Sequence, residues 1–351
     1  MQQVSVTHTL NLTNIRRARM LPVRGQVHVR QHQKVSATDV IASGNPGNEH
    51  LLLDIRRTLN IRTTVQLEDA LQCKAGDRIK KDDVLAESGG MFRRVVRSPV
   101  DGQIIAIIAG QIFIEVQSPS IEVLAGIAGT VIDVIPERGA ILEADGALVQ
   151  GVWGNGKTNQ GTLVVLAQSP EEAIGRQSLD MSMRGAVLLA GRCDDAETFK
   201  IGAELPLRGL ILGSMTADLI PTAQSVNFPV IVLDGFGAFP MNSQAYKTLV
   251  GNEKRDVCLN ASPWDAFTGE KPEVVIPLPA SGEPAAEVSE ITAGKTVRVV
   301  NLPYLGKIGV VVEAPTAPVN LSNGIRALVA VVRLENSELV SIPLANLDVL
   351  E

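Results

Sequence analysis

The chain has 351 residues, which is long for a single hydrophobic core and predicts two to four domains. Apolar residues make up 45% of the sequence and charged residues 20%, a composition that excludes a chain disordered throughout. The net charge of −6 excludes a broad basic surface for nucleic acid or anionic lipid.

The cysteines Cys73, Cys193 and Cys258 are widely spaced and form no CxxC motif. We therefore expect reduced thiols, no metal site and no bound cofactor. The first twenty residues lack the apolar core of a signal peptide, and no apolar run reaches the length of a membrane span. These features predict a cytoplasmic protein with no membrane insertion.

Residues 1–159 contain a degenerate internal repeat. Residues 25–42 align with 73–86, and residues 97–116 align with 125–146 through a glycine followed by alternating apolar positions. Alternation with period two between Gly, Asp and Pro turns predicts short β-strands. One insert, NEHLLLDIRRTLNI, has apolar positions at helical spacing and predicts a helix near 48–61.

Two motifs in this region, AGDRIKKDDVLAE (75–87) and RSPVDGQI (97–104), resemble the biotinyl/lipoyl-like barrel-sandwich hybrid fold. The resemblance covers roughly residues 20–150, and a similar pairing occurs near the N-terminus of Rnf- and Nqr-type redox-complex subunits. In carriers of this family a hairpin lysine bears the cofactor. Here the hairpin at 87–99 contains Met91 near that position and no lysine, so the resemblance implies a structural β-domain.

From residue 160 the pattern changes to continuous apolar strands that alternate with helices. This alternation predicts a parallel sheet covered on both faces, a Rossmann-like α/β domain over 160–278. The predicted strands are 162–167, 185–191, 208–213, 229–235 and 256–261, and the predicted helices are 169–183, 194–204, one capped by Thr216, and 243–250.

A Pro-, Ala- and Glu-rich segment at 279–292 predicts a linker to a last domain, 293–351. There the turn LPYLGKIGVV, with Gly306 and Gly309 around Lys307, and the closing SIPLANLDVL resemble a KOW motif in an SH3-like barrel, as in the transcription factor NusG and some ribosomal proteins. The resemblance implies a partner in the transcription or translation machinery. The whole chain is thus predicted to be multidomain, α/β plus all-β.

Residues 151–158, GVWGNGKT, have the spacing of a phosphate-binding loop, with Gly151, Gly156, Lys157 and Thr158 at its key positions. VIVLD (230–234) would supply the strand that ends in a magnesium-binding Asp. A working loop of this kind needs a helix after the lysine. The sequence TNQGTLVVLA instead predicts a strand, so nucleotide hydrolysis is a lesser alternative.

No catalytic residues are predicted, because the chain has no G-x-S-x-G motif and no histidine after residue 50. Ser214 and Thr216 lie where a parallel strand ends and a helix begins, and could hold an anion there. The simpler interpretation of Thr216 is a helix N-cap.

In the last domain, Lys295, Arg298, Tyr304 and Lys307 form a candidate partner-binding set, with cations for RNA phosphate and a ring for base stacking. Residues 295–351 carry five basic and five acidic side chains, which favours a protein partner over RNA or the ribosome. We therefore expect a non-enzymatic binding or scaffold protein. The alternatives are an accessory enzyme subunit whose α/β domain binds a small phosphorylated ligand, and the nucleotide hydrolase. The sequence predicts no oligomeric state.

Overall fold

The structure, a computed structural model, describes residues 3–61, 63–89, 93–116, 118–265, 269–280, 282–284 and 288–350. The chain is mostly β, with 45% strand and 14% helix in several sheets. None of the described helices has the length and apolar character needed to cross a bilayer. Chain contacts divide the protein into two compact units. Unit 1 comprises residues 1–20, 27–42 and 123–351, and unit 2 comprises residues 21–26 and 43–122.

The strands and helices are numbered in chain order. The strands before residue 130 are β1 (Gln3–Thr7), β2 (Thr9–Met20), β3 (Gln26–Val27), β4 (Lys34–Val35), β5 (Val40–Gly44), β6 (Glu49–Asp54), β7 (Arg78–Ile79), β8 (Val84–Glu87), β9 (Val95–Arg97), β10 (Gly102–Ile108), β11 (Gln111–Val116), β12 (Ile121–Leu124) and β13 (Gly129–Ile135). The later strands are β14 (Gly139–Gln150), β15 (Trp153–Gly154), β16 (Thr158–Val165), β17 (Ala173–Ile174), β18 (Val187–Cys193), β19 (Gly209–Met215), β20 (Val230–Phe236), β21 (Asp256–Asn260), β22 (Glu273–Pro277), β23 (Val288–Glu290), β24 (Thr296–Val299), β25 (Ile308–Glu313), β26 (Val319–Asn320), β27 (Arg326–Ala327), β28 (Val329–Leu334), β29 (Leu339–Pro343) and β30 (Leu347–Leu350). The α-helices are α1 (Ile55–Leu59), α2 (Thr64–Ala70), α3 (Ala196–Glu204), α4 (Ile220–Ser225) and α5 (Ser243–Val250).

The internal repeat predicted from the sequence is confirmed by matching turns. In the first copy the Asp39 carboxylate accepts the backbone N–H of Ser36 at 2.8 Å. In the second copy Asp83 accepts the backbone N–H of Lys80 at 2.7 Å. Each turn follows a two-residue strand, β4 or β7, that pairs with the start of a hairpin. The same short-range Asp interaction therefore shapes both copies.

The two hairpins of the repeat also begin alike. Gly102 opens β10 and Gly129 opens β13. A Cβ atom at Gly102 would lie 2.5 Å from the carbonyl oxygen of Glu115, and one at Gly129 would lie 2.4 Å from that of Glu143. Each hairpin has a register shift two residues after its glycine. The second copy lies in unit 2, between the two halves of the first copy along the chain, so the repeat is nested rather than tandem.

In unit 1, β16, β18, β19 and β20 pair in parallel, in that order across the sheet. Their side chains alternate between two buried cores. On β18, Val187 and Leu189 enter one core and Leu188 and Ala190 enter the other. Continuous apolar sequence is required because both faces of these strands are covered.

Helices cover both faces of the parallel strands, as the sequence predicted. Phe199 of α3 and Ala223 of α4 lie in the core on one face, and Ala245 and Leu249 of α5 lie in the core on the other. The N-caps are local: Asp195 accepts a backbone N–H of α3, and the Asn242 side chain accepts two from α5. Because each capping residue is adjacent to its helix in the sequence, these two helices can be predicted from the sequence alone.

The sheet does not end where the predicted domain boundary lies. Residues 159 and 160 are both inside β16, which pairs in parallel with β18 on one side and antiparallel with β21 on the other. The sheet then continues through β22, β14, β13 and β4, with β2 also paired to β14. Hydrogen-bonded pairing in unit 1 therefore crosses the boundary predicted from the change in sequence pattern.

The helix predicted over 169–183 is wrong. These residues contain β17 and two short 3-10 turns, Arg176–Ser178 and Met181–Met183. The Glu172 carboxylate accepts the backbone N–H of Gln168. Strand pairing of β17 with the end of β18 satisfies the backbone here and overrides the local helix signal.

The helix predicted over 48–61 is only partly correct. β6 occupies the first half and pairs antiparallel with β11, and the helix α1 begins only after Asp54, whose side chain caps it. Ile55 and Leu59 of α1 lie in the core of unit 2. Met91, singled out in the hairpin at 87–99, lies outside the described residues.

The C-terminal residues form a sheet with the order β23-β1-β30-β24-β25-β28-β29. In the described part of the chain this order is open, with β23 and β29 at its edges, rather than a closed barrel. β23 comes from the predicted linker. β1, at the opposite end of the chain, runs parallel to β30 and antiparallel to β23.

A buried ion cluster joins β2 to β22 in unit 1. Glu273 is 2% exposed and accepts hydrogen bonds from Arg17 Nη2 at 2.6 Å and Arg19 Nη2 at 3.3 Å. Arg19 Nε also donates to the carbonyl oxygen of Ala125 at 2.9 Å. Burial acts to raise the pKa of Glu273, but the two arginines outweigh it and hold the pKa below its ordinary value.

The lowered pKa of Glu273 predicts that the folded protein loses stability in acid. Its contribution to stability is present above the unfolded-state pKa, ordinarily 4.5, and is lost as pH falls through the lower folded-state pKa. We expect Glu273→Gln to cost about 3 kcal/mol at pH 7, because it removes the buried charge that Arg17 and Arg19 both contact. Urea unfolding between pH 7 and pH 3 should show a smaller loss of stability with acid for this variant than for the wild type.

The matched control is Glu143→Gln. Glu143 also pairs with an arginine of β2, Arg16, whose side chain is 62% exposed. Exposed pairs contribute about 0–1 kcal/mol, so this variant should stay close to the wild type at every pH. Equal acid dependence in Glu273→Gln and the wild type would contradict the assignment.

Candidate functional site

The loop between β24 and β25, residues 300–307, is ordered by its own hydrogen bonds. The backbone N–H of Val300 donates to the carbonyl oxygen of Asn346 at 3.0 Å, and that of Leu302 donates to Asn301 Oδ1 at 2.8 Å. At its end, the N–H of Gly306 donates to the carbonyl oxygen of Val299 at 2.8 Å. We call residues 300–307 the tip loop.

Gly306 is required at its position in the tip loop. Its φ is +80°, a left-handed conformation that strains residues with a Cβ atom. A Cβ atom there would also lie 3.3 Å from the ring of Phe239, in the loop that follows β20. The KOW-like glycine thus lies against another part of unit 1.

The tip loop exposes three apolar side chains. Val300 is 41% exposed, Leu302 is 76% exposed and Leu305 is 40% exposed. Scattered exposed apolar residues are common, but three in one short, hydrogen-bonded loop form a local apolar surface. Sequence reasoning missed these leucines, although two leucines in the turn LPYLG are a visible signal, since turns are usually polar.

Tyr304 and Lys307, both in the predicted partner-binding set, contact each other within the tip loop. Lys307 Nζ lies 5.6 Å from the centroid of the Tyr304 ring. The Tyr304 hydroxyl donates to Glu338 Oε1 at 3.1 Å, and this hydrogen bond raises the pKa of the phenol. One face of the ring is therefore occupied by a cation, and a carboxylate lies at its edge, an arrangement unfavourable to stacking an RNA base beside phosphate.

Two shallow clefts adjoin the loop. One, of about 160 Å³, is lined by Lys307 and by residues 334–336. The other, of about 500 Å³, extends from Ile308 to Arg333 and the start of α5 at 242–244. The clefts share Ile308 and part of the β28–β29 turn, so the surface beside the loop is concave.

Arg298, predicted to bind a partner, is buried. Its side chain is 3% exposed. Nη1 donates to the carbonyl oxygen of Leu233 at 2.8 Å and to Asp234 Oδ1 at 3.3 Å. Nη2 donates to Asp348 Oδ2 at 2.9 Å and to Thr7 Oγ1 at 3.4 Å. The prediction that Arg298 faces a partner is wrong, because all these contacts are made inside unit 1.

Lys271 contacts two of the residues that surround Arg298, namely Thr7 and Asp348. Its Nζ donates to the carbonyl oxygen of Val6 at 2.8 Å, to Thr7 Oγ1 at 2.7 Å and to Asp348 Oδ1 at 3.2 Å. Burial lowers the pKa of Lys271, with Asp348 opposing. We call Arg298, Lys271, Asp348, Thr7 and Asp234 the Arg298 cluster.

Asp234 is the acidic residue of VIVLD, considered above as a magnesium ligand. Burial raises its pKa, and Arg298 opposes that effect. Its second carboxylate oxygen accepts the backbone N–H of Asn242 at 2.8 Å. Both oxygens are thus engaged by protein donors.

Lys295, the fourth member of the predicted set, immediately precedes β24 and is half-buried. It therefore lies at the opposite end of this strand from the tip loop. Of the four predicted residues, the structure brings only Tyr304 and Lys307 together at the surface.

The candidate anion site at Ser214 and Thr216 is not assembled. Ser214 is fully buried, and its hydroxyl donates to the carbonyl oxygen of Phe239 at 2.7 Å. Thr216 precedes a three-residue 3-10 turn, and its side chain makes no capping hydrogen bond. The turn and the six-residue α4 replace the helix that was expected to face an anion.

Neighbouring segments of the chain cover the carboxyl ends of the parallel strands. A Cβ atom at Gly191 would lie 2.5 Å from the carbonyl oxygen of Glu172, and one at Gly213 would lie 2.6 Å from Met241 Cβ. The N–H of Met241 donates to the carbonyl oxygen of Pro170 at 3.0 Å, which ties the two covering segments together. The edge where such sheets usually bind ligands is filled by protein.

The P-loop look-alike, residues 151–158, contains the short strand β15 with irregular backbone on either side of it. The N–H of Gly151 donates to the carbonyl oxygen of Pro272 at 2.7 Å, and that of Gly156 donates to the carbonyl oxygen of Ala261 at 2.6 Å. Lys157 Nζ donates to the carbonyl oxygen of Gln224 at 2.9 Å.

Thr158 then begins the strand β16, as the sequence predicted, where a phosphate loop would begin a helix. The Thr158 hydroxyl donates to Asn260 Oδ1 at 3.2 Å. The amide groups that would cradle phosphate are therefore used within the sheet.

No family model matches the sequence, and no curated protein matches it either.

Arg298 should be essential for stability. We expect Arg298→Met to cost about 3–5 kcal/mol, because buried Asp234 loses the cation that it contacts and Asp348 is left with Lys271. Urea unfolding at pH 7 measures this loss. Adding Asp234→Asn to the variant should restore part of it, since the carboxylate left without a cation is then removed while Asp348 stays paired with Lys271.

The matched control for this prediction is Arg333→Met. Arg333 lies in the same C-terminal sheet but its side chain is exposed. We expect its loss to change stability by about 0.5 kcal/mol or less. A similar cost for the two arginine variants would show that the Arg298 cluster has no special role.

Proposed function

We propose that this chain is a non-enzymatic docking protein that binds a protein partner through the tip loop. The observation that carries the proposal is the exposure of Leu302 and Leu305 on a loop fixed by its own hydrogen bonds. Because the loop is already ordered, little conformational entropy is lost when a partner buries it. The partner we expect presents an apolar pocket that receives one or both leucines.

The electrostatics of the loop support a protein partner over RNA. Lys307 is the single basic residue of 300–307, and Glu335 and Glu338 lie beside it in the β28–β29 turn. RNA binding relies on several unopposed cations, which this surface lacks among its described residues. A loop with exposed apolar side chains and few charges resembles the centre of a protein interface.

In this proposal the β-domain and its nested repeat are barrel-sandwich-like, the parallel strands form a Rossmann-like α/β domain, and the C-terminal sheet is SH3-like. The KOW resemblance of LPYLGKIGVV supports a partner in the transcription or translation machinery. The accessory-enzyme and nucleotide-hydrolase alternatives have less support, because the strand ends and the GVWGNGKT turn are engaged in protein contacts.

The test is capture of partners from a lysate of the source organism on immobilised full-length protein, with and without nuclease. A protein retained by the wild type should be lost with the double variant Leu302→Ser and Leu305→Ser. Direct titration of that protein should then show a Kd at least about tenfold weaker for the double variant, as expected when interface leucines are truncated.

The matched control is Leu339→Ser, since Leu339 is 59% exposed in the same sheet but outside the loop. This variant should bind like the wild type. Equal binding by the double variant would reject the tip loop as the docking site. Loss of capture on nuclease treatment would favour RNA as the partner.

A further inference from the structure

The chain's N-terminal strand is built into the sheet that carries the tip loop. β1 pairs with β23 through three residues and runs parallel to β30 through Val6 and Thr7. β2 follows after one residue and is separately paired with β14 over most of its length. β1 and β2 are therefore held in different sheets, although only one residue separates them.

Thr7 is the side chain through which β1 engages the interior. It is 2% exposed. Its hydroxyl accepts Lys271 Nζ at 2.7 Å and Arg298 Nη2 at 3.4 Å, and it donates to the carboxylate of Asp348. One hydroxyl thus contacts both cations of the cluster and one of its carboxylates, and an apolar side chain could replace none of these contacts.

The strands that contribute to the Arg298 cluster also hold the base of the tip loop. Arg298 is in β24, which leads directly into Val300. Asp348 is in β30, which begins just after Asn346, and the carbonyl oxygen of Asn346 accepts the N–H of Val300 at 3.0 Å. The side chains of Asn301 and Asn346 add a hydrogen bond of 3.4 Å. On each strand a single residue, Val299 or Leu347, lies between the cluster and this hydrogen-bonded base of the loop.

We propose that β1 is a conformational control element for the tip loop, acting through the Thr7 hydroxyl. While β1 is paired, the Arg298 cluster is complete and β24 and β30 hold the loop in its ordered form. When β1 detaches, the cluster loses Thr7, the two strands separate more readily at the loop base, and the loop becomes mobile. That this mobility weakens docking rests on the function proposed above. The loss of loop order does not depend on it.

The first test uses the unmodified full-length protein without any partner. Native-state hydrogen exchange is followed by mass spectrometry at increasing, sub-denaturing urea. We expect the amides of β1 and those of Val300, Leu302 and Gly306 to open in one step with the same dependence on urea, before the amides of β18 and β19. Loop amides that open independently of β1 would overturn the proposal.

The second test is substitution of Thr7. We expect Thr7→Val to speed exchange of the loop amides at least tenfold while β18 and β19 stay protected, and Thr7→Ser, which keeps the hydroxyl, to remain within about twofold of the wild type. The matched control is Thr9→Val, because Thr9 is also buried, at 4% exposure, but lies outside the cluster. Wild-type loop exchange in a folded Thr7→Val variant would overturn the proposal, as would equal effects of Thr7→Val and Thr7→Ser.

These measurements separate this inference from the docking proposal, because neither uses a partner. If the loop is controlled by β1 but the leucine variants bind normally, the docking proposal alone fails. If the leucines are needed for binding but the loop opens independently of β1, only the control element is rejected.

Discussion

The buried guanidinium of Arg298 is the constraint on which the C-terminal half of unit 1 depends. A cation removed from water is costly unless carboxylates and hydrogen-bond acceptors surround it. Here Asp234 comes from the parallel strands, Asp348 from the last strand and Thr7 from the first. Because three distant segments meet around one side chain, β1 and β30 are held beside each other and beside the parallel strands.

This constraint changes how the KOW-like segment is interpreted. In sequence it is a separate module after a linker. In the structure its sheet contains β1 and β23, and its glycine turn packs on Phe239. In the docking proposal, the surface left for a partner is the outer side of the tip loop, where Leu302 and Leu305 are exposed. A fixed base and an apolar tip suit a binding element whose order is established before it meets a partner.

The parallel strands show why the type of sheet alone does not locate a ligand-binding site. Open parallel sheets generally bind ligands where the strands end. In this chain Gly191 and Gly213 let the segments around Pro170 and Met241 cross the strand ends at close range. Close packing of these segments therefore explains why glycine occupies both positions.

The sequence by itself determined the features that depend on neighbours within a few residues. The Asp39 and Asp83 turns, the Asp195 and Asn242 caps, and the strand after Lys157 all follow from local hydrogen bonding and side-chain shape.

Only the tertiary structure decided which strands pair and which charges are buried. It turned the 169–183 segment from a helix into β17 and two turns, placed β1 beside β30, and buried Arg298 while exposing Leu302. The physical reason is that burial and strand pairing depend on partners hundreds of residues away, such as Thr7 and Asp348. The local sequence around a charged residue does not indicate whether its side chain will be hydrated by water or paired with other groups of the protein.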